Sequence, residues 1–438
     1  MKIKIMMKKL AGGHNKLIIF LTLISFIFNK GVLASKILDY ETDQFIKSLI
    51  NEVKSVNNFK KDIKFNIISD TNINAFVDQN NIIYITSGLI ENCEDYIALL
   101  SVIAHEIGHI ENNHIAQRKY NFGKAKNLNA LSKLSIIAGS MMSNNPEMLQ
   151  GINIGSAGIS NYYINFSKSQ EEEADFYSLQ TIKNLKLNSS SVVNLLKLIE
   201  KKSLERGISK EEMRVGTHPY FEDRIDLINY SNNNSNFFVN EKLNEQFYFI
   251  QAKYIGHNEN TNLIHNIKEP FKIYAESIIK AKNGDLLGSL KNLNYLITTN
   301  NENIYLIETK GDILFSYGYT KEALEFYDKV LLKLPDNIYA QIRIFENTDF
   351  NNLTLNENEE IFYKNLNILQ KYYNNKNLLL AYIKLSQSTN KNDWVNFLFY
   401  WLNKNNDQKE INKNLKKFME TDDKYLFNLL KIIYNNNK

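Results

Sequence analysis

Cysteine is all but missing from this chain: Cys93 is the only one in 438 residues, which excludes an intrachain disulfide and any cysteine-built metal site. A metal ion would have to be held by His, Asp or Glu. Proline and glycine are also scarce, at 4 and 17 residues, which excludes collagen-like sequence and argues against a turn-dense all-β architecture. With 44% hydrophobic and 23% charged residues the chain is neither a disordered polymer nor a polytopic membrane protein. Its length suggests two domains and its composition a helix-rich chain; with the short strands expected between 64 and 86, the fold is read as mainly α with a small β-sheet.

A true excess of positive charge is absent as well. Lys2, Lys4, Lys8, Lys9 and Lys16 lead into the apolar run Leu17–Phe28, which is followed by Val32, Leu33, Ala34 and Ser35. This is the pattern of a secretory signal peptide cut after Ala34; the run is short against the roughly 20 residues of a bilayer span, and an uncleaved anchor is the alternative. Without residues 1–34, 46 basic residues face 48 acidic ones, so the formal charge of +4 becomes −2 and nothing suggests a nucleic-acid partner. In an exported chain a lone Cys93 reads as a small buried hydrophobe.

The polar patch Asn229–Asn236 marks the expected boundary between a first domain at 35–230 and a linker at 231–269. In the first domain, Phe45, Ile46, Leu49, Ile50 and Val53 recur at helical spacing over Asp39–Val56. Lys64–Ile68, Ile73–Val77 and Ile82–Thr86 read as strands, the last two as a hairpin turning at Asp78–Asn81. Ile97, Leu100, Ile103, Ala104 and Ile107 predict a helix from Asp95 to about Arg118. Two apolar runs between 128 and 166, with Gly139, Gly151, Gly155 and Gly158, suggest a buried helical hairpin or a mobile cover. From 270 to 438 the chain repeats at 34 residues: Gly284 falls on Gly318, Ser289 on Ala323, Leu293 on Tyr327 and Leu296 on Val330. Gly311, Gly318, Ala323, Tyr327, Val330 and Pro335 resemble the pattern of a tetratricopeptide (TPR) repeat, whose stacked helix pairs form an α-solenoid with concave protein-binding surfaces.

The chemistry points to His105-Glu106-Ile107-Gly108-His109. On a helix, residues at i and i+4 share a face, so both imidazoles can reach one Zn2+ ion, and Glu106 lies beside them as a general base. Zinc in such sites takes three protein ligands and leaves a position for water. Gly108 in mid-helix costs about 1 kcal/mol against Ala, which a close backbone approach would explain. His114, at i+5 from His109, falls off that face and reads as an exposed polar residue, as do His257 and His265.

A third ligand is expected in Ser167–Asp175, where three consecutive glutamates leave the register open because successive helical side chains point about 100° apart. The motif at 105–109, this acidic segment, Thr217-His218-Pro219, and the run Asn74-Ala75-Phe76 with Tyr84–Leu89 together resemble the HtpX and CaaX-prenyl-protease family of gluzincin zinc metallopeptidases. The resemblance implies Glu171 as the zinc-binding carboxylate and Asp175 as the acid that orients a ligating His, with Glu172 and Glu173 left as solvated charges. Lys168 stands where the family carries Arg. His218 would stabilise an oxyanion or act as an inhibitory fourth ligand, Arg224 matches an Arg that follows His-Pro, and Asn74, Ala75 and Phe76 would form the substrate-binding edge. Signal peptide and repeats together are similar to the family's periplasmic BepA-like branch. That implies a periplasmic zinc endopeptidase in outer-membrane protein quality control, acting on polypeptide substrates, with a TPR-bound partner such as the outer-membrane assembly machinery and peripheral membrane association. Two rivals remain at this point: an assembly chaperone with a dormant metal site, and a purely structural zinc domain.

Overall fold

The computed structural model describes residues 36–117 except 79, 168–207, 224–226, 228, 237, 239–405 and 407–436. The stretch 1–34 expected to be a signal peptide, the 128–166 segment and Thr217, His218 and Pro219 lie outside the described residues. The chain divides into two compact units, the second beginning at Glu276.

In the first unit, α1 (Tyr40–Val56) begins where the Asp39 carboxylate accepts from the Thr42 amide at 2.7 Å, and it buries the predicted stripe from Phe45 to Val53. Strands β1 (Lys64–Ile68), β2 (Ala75–Val77) and β3 (Ile82–Thr86) form a sheet in the order β1-β3-β2, with β3 parallel to β1 and antiparallel to β2. The Asp78 carboxylate shapes the expected hairpin by accepting from the amides of Asn80 and Ile82 at 2.8 and 2.9 Å, and Asn81 takes the left-handed conformation with φ 58°. β2 starts at Ala75, not Ile73, because its partner runs out: after Thr86 the chain enters helix α2 (Ser87–Asn92), and the Asn74 amide instead donates to the Thr86 hydroxyl at 3.1 Å.

Helix α3 (Tyr96–Glu111) carries the His-Glu-x-x-His motif and is capped by Asp95, which accepts from the Ala98 amide at 2.9 Å. It is a core helix, buried from Tyr96 to Ile110 except at the partly exposed Val102. It stops at Glu111, short of the expected Arg118, because Asn113 adopts φ 56° and turns the chain before residues 114–117 become helical again. Helix α4 (Lys168–Asn184) packs across α3, and the Ser178 hydroxyl donates to the Ser101 carbonyl at 2.8 Å. A β-carbon at Gly108 would stand 3.0 Å from Tyr177 Cβ and 3.1 Å from Ala174 Cα, so this glycine marks the close approach of the two helices.

After α5 (Ser190–Glu205), helix α6 (Glu241–His257) occupies ground where the sequence suggests a linker. Phe247, Ile250 and Tyr254 join the first unit's core. Two buried polar residues disguise that burial in the sequence. Lys253 Nζ lies 2.8 Å from Asp39 and 2.7 Å from Glu41, and the Gln251 side-chain amide donates to the Cys93 carbonyl at 2.7 Å. Cys93 is itself buried, and desolvation pushes its thiol pKa up.

Helix α7 (Thr261–Ile264) belongs to the first unit and α8 (Phe271–Lys282) contains the boundary at Glu276; the second unit continues through α9 (Leu286–Thr299), α10 (Tyr305–Ser316), α11 (Thr320–Lys333), α12 (Ile338–Glu346), α13 (Leu355–Lys364), α14 (Leu366–Tyr372), α15 (Lys376–Ser388), α16 (Asn392–Asn403), α17 (Gln408–Phe418) and α18 (Lys424–Asn436). Sequence neighbours pack on one another along much of this series. Gly311 on α10 faces Phe326 and Tyr327 of α11, while Ala323, Tyr327 and Val330 are fully buried. Among the described residues no helix is long and apolar enough to cross a membrane.

Gly108→Ala tests the α3–α4 approach. Alanine's helix propensity would add about 1 kcal/mol of stability, whereas forcing a methyl into contacts of this length costs about 1–3 kcal/mol. A net loss of about 1 kcal/mol is expected in urea titration; a gain would contradict the close approach.

Candidate metal centre

Helix α3 places His105 and His109 one turn apart, and α4 brings Glu171 from its first turn to meet them. The Nε2 atoms of the two rings lie 3.1 Å apart, and the Glu171 oxygens lie 3.5 Å from His105 Nε2 and 3.4 Å from His109 Nε2. Donor atoms bound tetrahedrally at about 2.0–2.1 Å would be separated by about 3.4 Å, so the triangle has the dimensions of a zinc-type ligand set. All three side chains are buried, at 4%, 0% and 1% exposure, and together they could hold a metal ion. Glu171 resolves the triple-glutamate ambiguity, because Glu172 and Glu173 on the same turn are exposed. Its position in the first turn also sets the carboxylate in the positive end of the α4 dipole.

The far side of His105 is held by a second acid. Asp175 Oδ1 accepts from the Nδ1–H of His105 at 2.8 Å, which leaves Nε2 to face the other donors. Arg224, in the short helical stretch 224–226, grips Asp175 in a two-pronged contact at 2.8 and 2.9 Å and reaches Glu171 at 3.8 Å. Burial works to raise the Asp175 pKa, but Arg224 and His105 outweigh it and hold the carboxyl below its ordinary range. Burial and Arg224 disfavour the His105 imidazolium, yet Asp175 and Glu171 outweigh both and raise its pKa; a bound metal cation would take the place of that proton. Burial pushes His109 down to about 4, with the Glu171 hydrogen bond offsetting only part, so its ring is neutral near pH 7, as a ligand must be.

Glu106 is buried at 1% exposure on α3, adjacent in sequence to His105. Asn74 precedes β2, whose Ala75 and Phe76 side chains are buried on the sheet's outer strand, and Phe76 stacks on Tyr84 with ring centroids 5.0 Å apart. His218 lies outside the described residues. His257 and His265 are exposed, as expected. His114 is not: it is 1% exposed, with Nδ1 3.0 Å from His109 Nδ1 and Nε2 3.0 Å from Glu173 Oε2. Helical-wheel reasoning missed it because Asn113 breaks the helix and swings the ring back. The role of Arg224 also escaped the sequence reading, although a buried Asp175 beside a buried Glu171 demands a nearby cation.

Without metal, His109 should impose a pH dependence. An unfolded-state pKa of about 6.5 against about 4 when folded means that the unfolded chain takes up a proton the folded chain refuses, so stability falls as pH drops from 6.5 to 4. Chemical denaturation of metal-free protein across this range should show wild type losing stability relative to His109→Gln. Parallel profiles would contradict the assignment. In the metal-loaded protein, Asp175→Ala should weaken metal binding by about 10–100-fold in a chelator competition.

Comparison with known proteins bears on the same span. Residues 41–231 match the model of a family described as Peptidase family M48. A Vibrio cholerae protein provisionally named beta-barrel assembly-enhancing protease is 30% identical over 176 residues, 40% of this chain and 35% of the relative. The beta-barrel assembly-enhancing proteases of Yersinia pestis and Escherichia coli K12 are 27% identical over 193 residues (44% of this chain, 39% of the relative) and 28% identical over 217 residues (49% and 43%). The chain thus spans less than half the length of each of these curated relatives. The stretch that carries His105, Glu106, His109, Glu171, Asp175 and Arg224 is accordingly similar to the M48 peptidases.

Proposed function

We propose that this chain is a zinc-dependent endopeptidase of the periplasm that acts on unfolded or misassembled proteins, outer-membrane proteins foremost. The observation that carries the reading is the convergence of His105, His109 and Glu171 on one point with Glu106 on the same helix, inside the span similar to the M48 peptidases. Two imidazoles and one carboxylate favour zinc over magnesium or calcium, which prefer all-oxygen sites. Bound there, zinc would supply Lewis acidity, lowering the pKa of water to about 7 and polarising a carbonyl.

The protein's own groups do the rest. Glu106 accepts the proton of the attacking water and delivers it to the departing amine. Asp175, steadied by Arg224, holds the His105 ring in its tautomer. An extended substrate adds along Asn74, Ala75 and Phe76 at the outer strand, which favours unfolded chains because only they can present a free backbone. His218 acts as an oxyanion donor or as an inhibitory fourth ligand. The leader at 1–34 directs export, with cleavage after Ala34. The second unit serves as a TPR-like array for a protein partner in outer-membrane assembly, a reading supported by the 34-residue spacing and by the packing of Gly311 on Tyr327.

Glu106→Gln should bind zinc with unchanged stoichiometry and cleave casein about 10²–10⁴-fold more slowly. Chelation should abolish wild-type cleavage, and added zinc should restore it. Undiminished turnover in the variant would refute the base. Zinc-loaded wild type that cleaves nothing, yet keeps unfolded proteins soluble, would favour the chaperone rival.

A further inference from the structure

The two metal-facing imidazoles are supported differently. His105 donates its Nδ1–H directly to Asp175, a buried carboxylate neutralised by Arg224. His109 has a second imidazole at its Nδ1: His114, 3.0 Å away, the two rings edge to face with centroids 5.2 Å apart. The far nitrogen of His114 meets the Glu173 carboxylate at 3.0 Å, and the Glu173 side chain is 57% exposed.

Hydrogen-bond bookkeeping orients this chain in one direction. If His109 presents its Nε2 lone pair to a metal, its Nδ1 carries the proton and donates. His114 must then accept at Nδ1, which puts its own proton on Nε2, and that proton is donated to Glu173. His114 is not a fourth ligand, since it approaches His109 from the ring nitrogen opposite the metal-facing one.

We propose that His114 and Glu173 are positioning residues that fix the tautomer and the ring orientation of His109 through a carboxylate–imidazole–imidazole relay. The inference rests on the reading of His105, His109 and Glu171 as a metal centre. Its physical advantage is where the charge sits. His109 is fully buried, and a carboxylate placed directly against it would need a cation of its own, as Asp175 needs Arg224. An intervening neutral ring carries the polarisation inward and leaves the anion of Glu173 in water.

Zinc affinity of the purified mature protein, measured by chelator competition, tests the relay with Glu173→Gln, His114→Phe and the double variant. Glu173→Gln changes an exposed side chain, and His114→Phe keeps a ring in the buried site. Each single variant is expected to bind zinc about tenfold more weakly, and the double variant no more weakly than His114→Phe alone. Nitrogen-15 histidine spectra of the zinc-loaded wild type should show His109 protonated at Nδ1 and His114 at Nε2, with the His109 Nδ1–H resonance displaced in Glu173→Gln. Wild-type affinity and spectrum in Glu173→Gln, or losses that add in the double variant, would overturn the relay while leaving the metal centre standing. If His114→Phe fails to fold, Glu173→Gln decides alone. Wild type that binds no zinc would overturn the metal centre and the relay with it.

Discussion

The centre depends on one constraint: polar and ionisable groups taken out of water must find partners inside the protein. His105, Glu106, His109, Glu171 and Asp175 all sit below 5% exposure. Isolated, such groups would be prohibitively costly to bury. Together they neutralise one another, with Asp175 between His105 and Arg224 and Glu171 between both imidazoles and Arg224. The same pairing that makes burial tolerable aims the donor atoms at one point. Stability and ligand geometry therefore come from the same contacts.

The contact of α3 with α4 makes those pairings reachable. At Gly108 the helices approach so closely that even a methyl group would crowd Ala174 and Tyr177, which face it. Glu171 lies three residues before Ala174 and Asp175 one after, so both carboxylates come within reach of the motif on α3. The price in helix propensity at Gly108 is small beside what a displaced carboxylate would cost. Elsewhere in the first unit the same rule recurs with a different cast: Lys253 is buried between Asp39 and Glu41, tying α6 to the start of α1.

In the second unit, too, polar groups are buried in matched sets. Tyr327 and Tyr339 both donate to Asp312, at 2.6 and 2.7 Å, and Arg343 donates to the Tyr339 hydroxyl at 2.9 Å. Burial, with Asp312 adding to it, pushes both phenols above their ordinary pKa and keeps them hydrogen-bond donors. A network that joins α10, α11 and α12 in this way specifies how successive helices stack, beyond what the apolar positions alone require.

Local pattern was enough for much of this. Apolar spacing of three and four located α1 and α3, alternation and turn residues located β1 to β3, and the spacing of His105 and His109 put the first two candidate ligands on one helix face, since all of these express periodicities of the backbone itself. What escaped were features in which polarity hides burial or the backbone departs from regularity. Helix α6 reads as a linker because Gln251 and Lys253 interrupt its apolar face, and His114 reads as exposed because the turn at Asn113 is invisible to a helical wheel. The sequence by itself determined which residue types were available for a metal and which helix presents two of them. The family resemblance pointed to Glu171 where the spacing of three glutamates left the register open; only the tertiary structure brings its carboxylate to the two imidazoles and sets Arg224 and His114 beside the group. Those choices depend on distances between segments far apart in the chain, which no local spacing encodes.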